Sequence, residues 1–379
     1  MTSIRMSGMA LRGYTDSRSG GADTKFIDPK GSEVEHKVTR RGFMQWTAGA
    51  ALSSGVSLAQ ERPPAASAAS GPPDRRSTVS LVRGDSRRKN IHDALVAIED
   101  QIMPVLRRKK KVVIKPNNVS TVNQLAATHA DALHGILDFL APRFEGPVTI
   151  AESSAGNTLE GFENFRYAAV AAEHRSQKVG LVDLNGDLHP VPVRLASRLL
   201  DPDAYVICAA ILKTHNVTVA TLSVKNMTLG APLRSGPKEA KRWNDKRHYH
   251  GGVRQTHFDI FLTAQRLRPF WGATIIDGFE GMEGNGPSAG LPVPSRLAIA
   301  STDYIAADRV GVEVMGINPD WVGCLNFCAQ AGLGQYDMLK IDVRGVRPAD
   351  VTRKYELHKD IELQLQWMGP LKEIPPKLG

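Results

Sequence analysis

Between Lys213 and Pro287 the chain gathers residues suited to chemistry rather than to packing. Lys213-Thr214-His215 comes first, then Lys225-Asn226, then the run Asp277-Gly278-Phe279-Glu280-Gly281-Met282-Glu283-Gly284-Asn285-Gly286-Pro287. Lysines can neutralise a carboxylate or phosphate, and a lysine buried beside a reacting centre can serve as a base once its pKa falls. His215 could transfer protons or ligate a metal, although a lone histidine is more often merely hydrogen-bonded. Asp277, Glu280 and Glu283, closely spaced in a glycine-rich turn, suit a hard divalent cation, and one of them could act as a base. Gly281, Gly284, Gly286 and Gly290 point to backbone that needs positive φ or a close approach to a ligand. No Gly-Lys-Ser/Thr follows, so the run is not a Walker-type phosphate loop.

Two further groups belong with these. Lys115 and Asn117 close an apolar stretch, and Ser153, Ser154 and Asn157 form a small-residue turn that leads into a helix. Free backbone N–H groups at such a turn attract an anion, and the same residues also read simply as a capped helix start. His248-Tyr249-His250 with His257 and Asp259 offers three imidazoles within ten positions. Their spacing matches no strong zinc template, and Arg242, Lys246 and Arg247 would repel a cation. His257 is the member expected at the site, because it precedes the apolar helix 260–267, which should dock on the sheet.

The elements that must position these residues alternate. Apolar, β-branched strands are expected at 78–82, 111–114, 147–152, 180–185, 204–212, 272–277 and 296–301, with helices at 91–106, 128–140, 159–173 and 304–315. This pattern argues for an α/β fold, a mainly parallel sheet covered by helices on both faces. In such sheets ligands sit beyond the carboxyl ends of the strands. Lys115, Glu152, Lys213, Asp277 and Asp303 each follow a strand, so the site loops are expected there. The polar stretch 234–253 reads as a long loop or insertion over the sheet.

The N-terminus speaks of location. Arg40-Arg41-Gly42-Phe43-Met44 precedes a weakly apolar, alanine-rich stretch that closes on Ser57-Leu58-Ala59. This resembles a twin-arginine export signal over residues 1–59, which implies passage through the twin-arginine translocase and a periplasmic or otherwise exported protein. The alternative is an arginine pair opening an ordinary amphipathic helix. The apolar stretch is too short for a permanent membrane span. Residues 60–77, rich in Pro, Ala and Ser, read as a linker, and residues 78–379 as one α/β domain. The composition, 42% hydrophobic and 23% charged, is that of a globular protein. Its charge of +9 is moderate and favours anionic partners without indicating nucleic acid. Three cysteines give no disulfide framework and no iron–sulfur motif.

Ordered motifs carry a resemblance. They are Val113-Ile114-Lys115-Pro116-Asn117, Ile211-Leu212-Lys213-Thr214-His215, and Ser223-Val224-Lys225-Asn226-Met227-Thr228-Leu229-Gly230. Ile276-Asp277-Gly278 with Met282-Glu283-Gly284-Asn285-Gly286-Pro287 follows, then Ala300-Ser301-Thr302-Asp303 with Asp308. Over about Val112 to Gly316 the chain resembles the bacterial and archaeal family known as domain of unknown function 362. The resemblance implies an α/β fold and a shared polar site, and it supplies no reaction. Some relatives carry a ferredoxin-like iron–sulfur segment that this chain lacks.

The expectation is an exported, metal-assisted enzyme acting on a small anionic substrate, a carboxylate or a phosphate. Lys115, Lys213 and Lys225 would bind the anion, and Asn117, Asn226, Ser153, Ser154, Asn157 and Gly286 would orient it. His215 would transfer protons with Glu283 as a partner, and Asp277, Glu280 and His257 would hold one divalent ion. A non-catalytic periplasmic binder of an anion or metal chelate needs the same lysines but no acid–base pair. A redox accessory protein without its own cluster is the third reading.

Overall fold

The computed structural model describes residues 76–186, 193–236 and 241–368, together with two short strands, Phe26–Ile27 and Glu33–Val34, that pair antiparallel. Apart from those strands, the expected export signal lies outside the described residues, as does nearly all of the linker.

The fold is built on strand order. We number the strands β1 (Ser77–Arg83), β2 (Lys111–Lys115), β3 (Val148–Glu152), β4 (Val179–Asp183), β5 (Ala204–Thr214), β6 (Ala220–Thr221), β7 (Trp271–Glu283), β8 (Leu291–Val293), β9 (Leu297–Ser301) and β10 (Ile341–Gly345). They form one sheet in the order β10-β1-β9-β7-β5-β2-β3-β4, with β8 on the end of β7 and β6 on the end of β5. All eleven residues of β5 are buried, because a central parallel strand is covered on both faces, and its sequence is apolar up to Leu212 before closing on Lys213 and Thr214. Its alternate residues feed two cores, Tyr205, Ile207 and Ala209 on one face and Val206, Cys208, Ala210 and Leu212 on the other.

Helices α1 (Arg87–Val96), α2 (Glu99–Leu106) and α3 (Ala130–Leu140) cover the first face. Helices α4 (Thr158–Asn164) and α5 (Tyr167–Glu173) follow β3. Helices α6 (Ser223–Gly230), α7 (Val253–Leu267), α8 (Tyr304–Val314) and α9 (Gly323–Gln330) cover the second. This is the expected α/β architecture. Among the described residues no helix is long and apolar enough to cross a membrane.

Three local expectations change. The helix expected over 91–106 is two helices that turn at residues 97–98. The helix expected from Thr128 starts two residues later with His129 as its cap, whose Nδ1 accepts the Asp131 N–H at 3.0 Å. Thr128 instead ties strand ends together, accepting the Asn117 N–H and donating to the Ala209 carbonyl. Most consequentially, β9 runs antiparallel to both β7 and β1. Its carboxyl end, with Asp303, therefore lies at the opposite rim from the ends of β2, β3 and β5. There Asp303 caps α8 and accepts from Ser77 and Gln335.

Candidate anion site

A cavity of about 260 Å³ opens beyond the ends of β2, β3 and β5, beneath α6 and the loop 241–250. Lys115 ends β2 with its side chain on the α6 face and is 1% exposed. All three of its ammonium protons are committed, to Glu152 Oε2 at 2.8 Å, Asn226 Oδ1 at 3.1 Å and the Pro116 carbonyl at 2.7 Å. Lys213, fully buried near the end of β5, donates to Asn117 Oδ1 at 3.0 Å and to the carbonyls of Pro287 and Ala126. Asn117 in turn donates to Asn226 Oδ1 at 3.0 Å. Asn226 Nδ2 reaches Cys208 Sγ and the Ala209 carbonyl. The two asparagines thus set the positions of the lysines.

Lys225 differs. It is 9% exposed, lines the cavity, and its ammonium has no hydrogen-bond acceptor among the described residues. Burial pushes its pKa down to about 8, with Lys115 adding repulsion. Lys246 enters from the loop, donates to the Leu229 carbonyl at 3.0 Å, and is held down to about 7, chiefly by burial. Burial, then Lys225 and Lys115, hold Lys213 well below the ordinary lysine value. Glu152 is the single carboxylate lining the cavity, and its second oxygen accepts the Ser153 N–H.

His215 also lines the cavity. Its Nδ1 accepts the N–H groups of Val217 at 3.0 Å and Thr218 at 3.3 Å, which fixes the ring as the neutral Nε2–H tautomer. Burial, then Lys225 and Lys213, push its pKa well below the usual histidine value. Both features favour a neutral imidazole that carries its proton on Nε2. A buried neutral imidazole can polarise an anion or carbonyl in this way.

The supports are long-range in sequence. Asp308 on α8 accepts the N–H groups of Ser223 and Val224 and the Ser223 hydroxyl, capping the helix that carries Lys225 and Asn226. At the other end of α6, a side chain on Gly230 would overlap the Lys115 ammonium. Arg194 grips Asp245 with two side-chain bonds at 2.9 and 2.7 Å and stacks on Trp243, fixing the loop that delivers Lys246.

Most of the remaining candidates lie elsewhere. Asp277 sits in mid-strand, since β7 continues to Glu283, and pairs with Arg87 of α1 at 3.1 Å on the first face. Glu280 is exposed, and Glu283 accepts the Glu356 N–H. His257 is buried on the second face, where its Nδ1 accepts the Cys324 N–H and its ring packs on Trp367. The sheet separates Asp277 from His257, so Asp277, Glu280 and His257 do not fit one metal centre. Among the described residues no group of three or more His, Cys, Asp or Glu is arranged to hold a metal. Gly286 is required by close approach, because a Cβ there would overlap the Thr214 carbonyl, and its neighbour Pro287 lines the cavity. Asn157 caps α4. Ser153 lines the cavity and donates to Asn185, while Ser154 lies behind it with its hydroxyl buried. The roles of Glu152, Lys246 and Asp308 were missed. The signal for Lys246 is a basic residue in a polar insertion, which repels a metal cation and equally attracts an anion.

A family model described as "Domain of unknown function (DUF362)" matches residues 112–313, more than half of the chain, and the chain belongs to that family. It is 31% identical over 144 residues to the thylakoid-associated protein sll1697 of Synechocystis sp.. That match covers 38% of this chain and 41% of the relative, so the chain spans about two fifths of the relative's length. A solved Thermotoga maritima protein shares 13% identity over 56% of this chain and 55% of its own, with a TM-score of 0.34.

Proposed function

We propose that the cavity binds a small anion, a carboxylate or a phosphate, and that the chain acts on this anion as an exported enzyme. The supporting observation is the imbalance of charge: three lysines line a partly enclosed space with one carboxylate, Glu152, among them, and a fourth, Lys213, is bonded to Asn117 of its wall. Lys115, paired with Glu152, and Lys213 form the fixed frame of the site. Lys225, Lys246 and the Nε2–H of His215 are the groups able to meet the ligand. Lysines held near neutrality exchange protons readily at physiological pH, which is the use an enzyme makes of them.

A non-catalytic binder is the second reading. The complete hydrogen bonding of Lys115 and Lys213 favours it, because a rigid cationic frame serves holding as well as turnover. Calorimetric titration of the full chain with inorganic phosphate and with propionate tests the shared premise. Saturable binding lost in Lys225→Met supports the site, and binding unchanged in that variant overturns it. Ligand recovered chemically altered separates the enzyme from the binder.

A further inference from the structure

Lys225 stands apart from the other three lysines. Lys115 and Lys213 each have three protein acceptors, and Lys246 has a carbonyl. A lysine that is nine-tenths buried and whose ammonium has no protein acceptor is costly, and it has two ways out. It can take an anion, or it can give up its proton and present a lone pair. A desolvated amine beside other cations is the arrangement that makes lysine a nucleophile towards carbonyl carbon.

We propose that Lys225 is a nucleophilic amine that condenses with the carbonyl of a small 2-oxo carboxylate bound in this cavity. This rests on the anion site above and names its substrate class. The carboxylate of the ligand is held by the ammonium of Lys246, and the Nε2–H of His215 donates to the carbonyl oxygen. The Lys225 nitrogen pair forms the C–N bond as the C=O π pair moves to oxygen. The carbinolamine loses that oxygen as water, with one proton from the nitrogen and one taken up from the cavity lysines. The nitrogen keeps its second proton and its remaining pair closes the C=N bond, so the product is a protonated imine. No oxidant or reductant is consumed. Burial supports the assignment by holding the amine near a pKa of about 8, so a useful fraction is neutral at physiological pH.

The test treats the full chain with pyruvate and sodium borohydride, followed by intact-mass measurement and peptide mapping. One reduced pyruvate adduct per chain on Lys225, absent in Lys225→Met and suppressed by excess propionate, is the expected result. The trapping rate rises between pH 6 and pH 8 as the amine loses its proton. Propionate, which has no carbonyl, reports the anion site alone. If propionate binds but pyruvate leaves no adduct, or labels Lys225→Met equally, the imine is overturned and the anion site survives. If neither propionate nor phosphate binds, both readings fail together.

Discussion

Asp308 accepts the backbone N–H groups of Ser223 and Val224 at 2.8 and 2.9 Å, so a carboxylate on α8 holds the first turn of the helix that presents Lys225. Burial raises its pKa to about 7, outweighing the bonds from Ser223 and Val224 that favour the charged form. The folded chain therefore binds more protons than the unfolded one between the ordinary value of 3.8 and about 7, and this group's contribution to stability falls as pH rises through that window. Denaturant titrations at pH 5 and pH 7 should show the fall, and Asp308→Asn should flatten it. The variant should also lose about 1–2 kcal/mol from the weakened helix start.

Gly230→Ala sets two effects against each other. Alanine gains about 1 kcal/mol of helix propensity over glycine. Its Cβ would overlap the Lys115 ammonium, which is held by Glu152, Asn226 and the Pro116 carbonyl and would give up bonds to move. Overpacking of this kind costs about 1–3 kcal/mol, so the clash wins. The urea midpoint should fall and anion affinity with it; an unchanged midpoint would show that Lys115 relocates freely.

Anion affinity should decline with alkaline pH. Lys246 and Lys225 titrate at about 7 and about 8 in the empty protein, and a bound anion favours their charged forms. Binding is then strongest at and below pH 7, weakens as pH passes 8, and takes up protons in between. Calorimetry in two buffers of different ionisation enthalpy measures that uptake directly. Zero uptake at pH 8 would mean that neither amine meets the ligand.

His215 should stay neutral. With Nδ1 committed to two backbone donors, protonation would break the turn at residues 216–218. Nitrogen NMR should find the Nε2–H tautomer at pH 6 and below. His215→Ala should weaken anion binding by about tenfold, the worth of one hydrogen bond of about 1–1.5 kcal/mol, without moving the pH profile. A shifted profile would return the ring to the role of proton carrier.

Asp277 offers a check on the cation. Because Arg87 already balances it on the far face of the sheet, Asp277→Asn should leave the metal content of protein purified without chelators unchanged. Loss of one equivalent of a divalent ion in that variant would restore Asp277 as a ligand.

Lys115 and Lys213 are legible because each closes a β-branched or apolar run, and a strand that stops at a cation marks a rim. What joins them is not. Asn117 meets Asn226 across 109 positions and Asp308 meets Ser223 across 85, contacts that exist only once the strand order is set. Strand direction was equally hidden. An apolar run such as 297–301 has no polarity of its own, so Asp303 was grouped with residues at the other rim. Asp277 misled for a related reason: the glycines after it read as a turn, whereas β7 continues through them to Glu283.

The reversed course of β9 leaves polar side chains at both rims of the sheet. The turn after it, with Arg268 and the stacked rings of Trp271 and Tyr304 nearby, stands a sheet's length from the lysines. A surface tether or dye placed on exposed Arg268 would leave the chemical end untouched, so the protein can be immobilised by one rim while the other is interrogated.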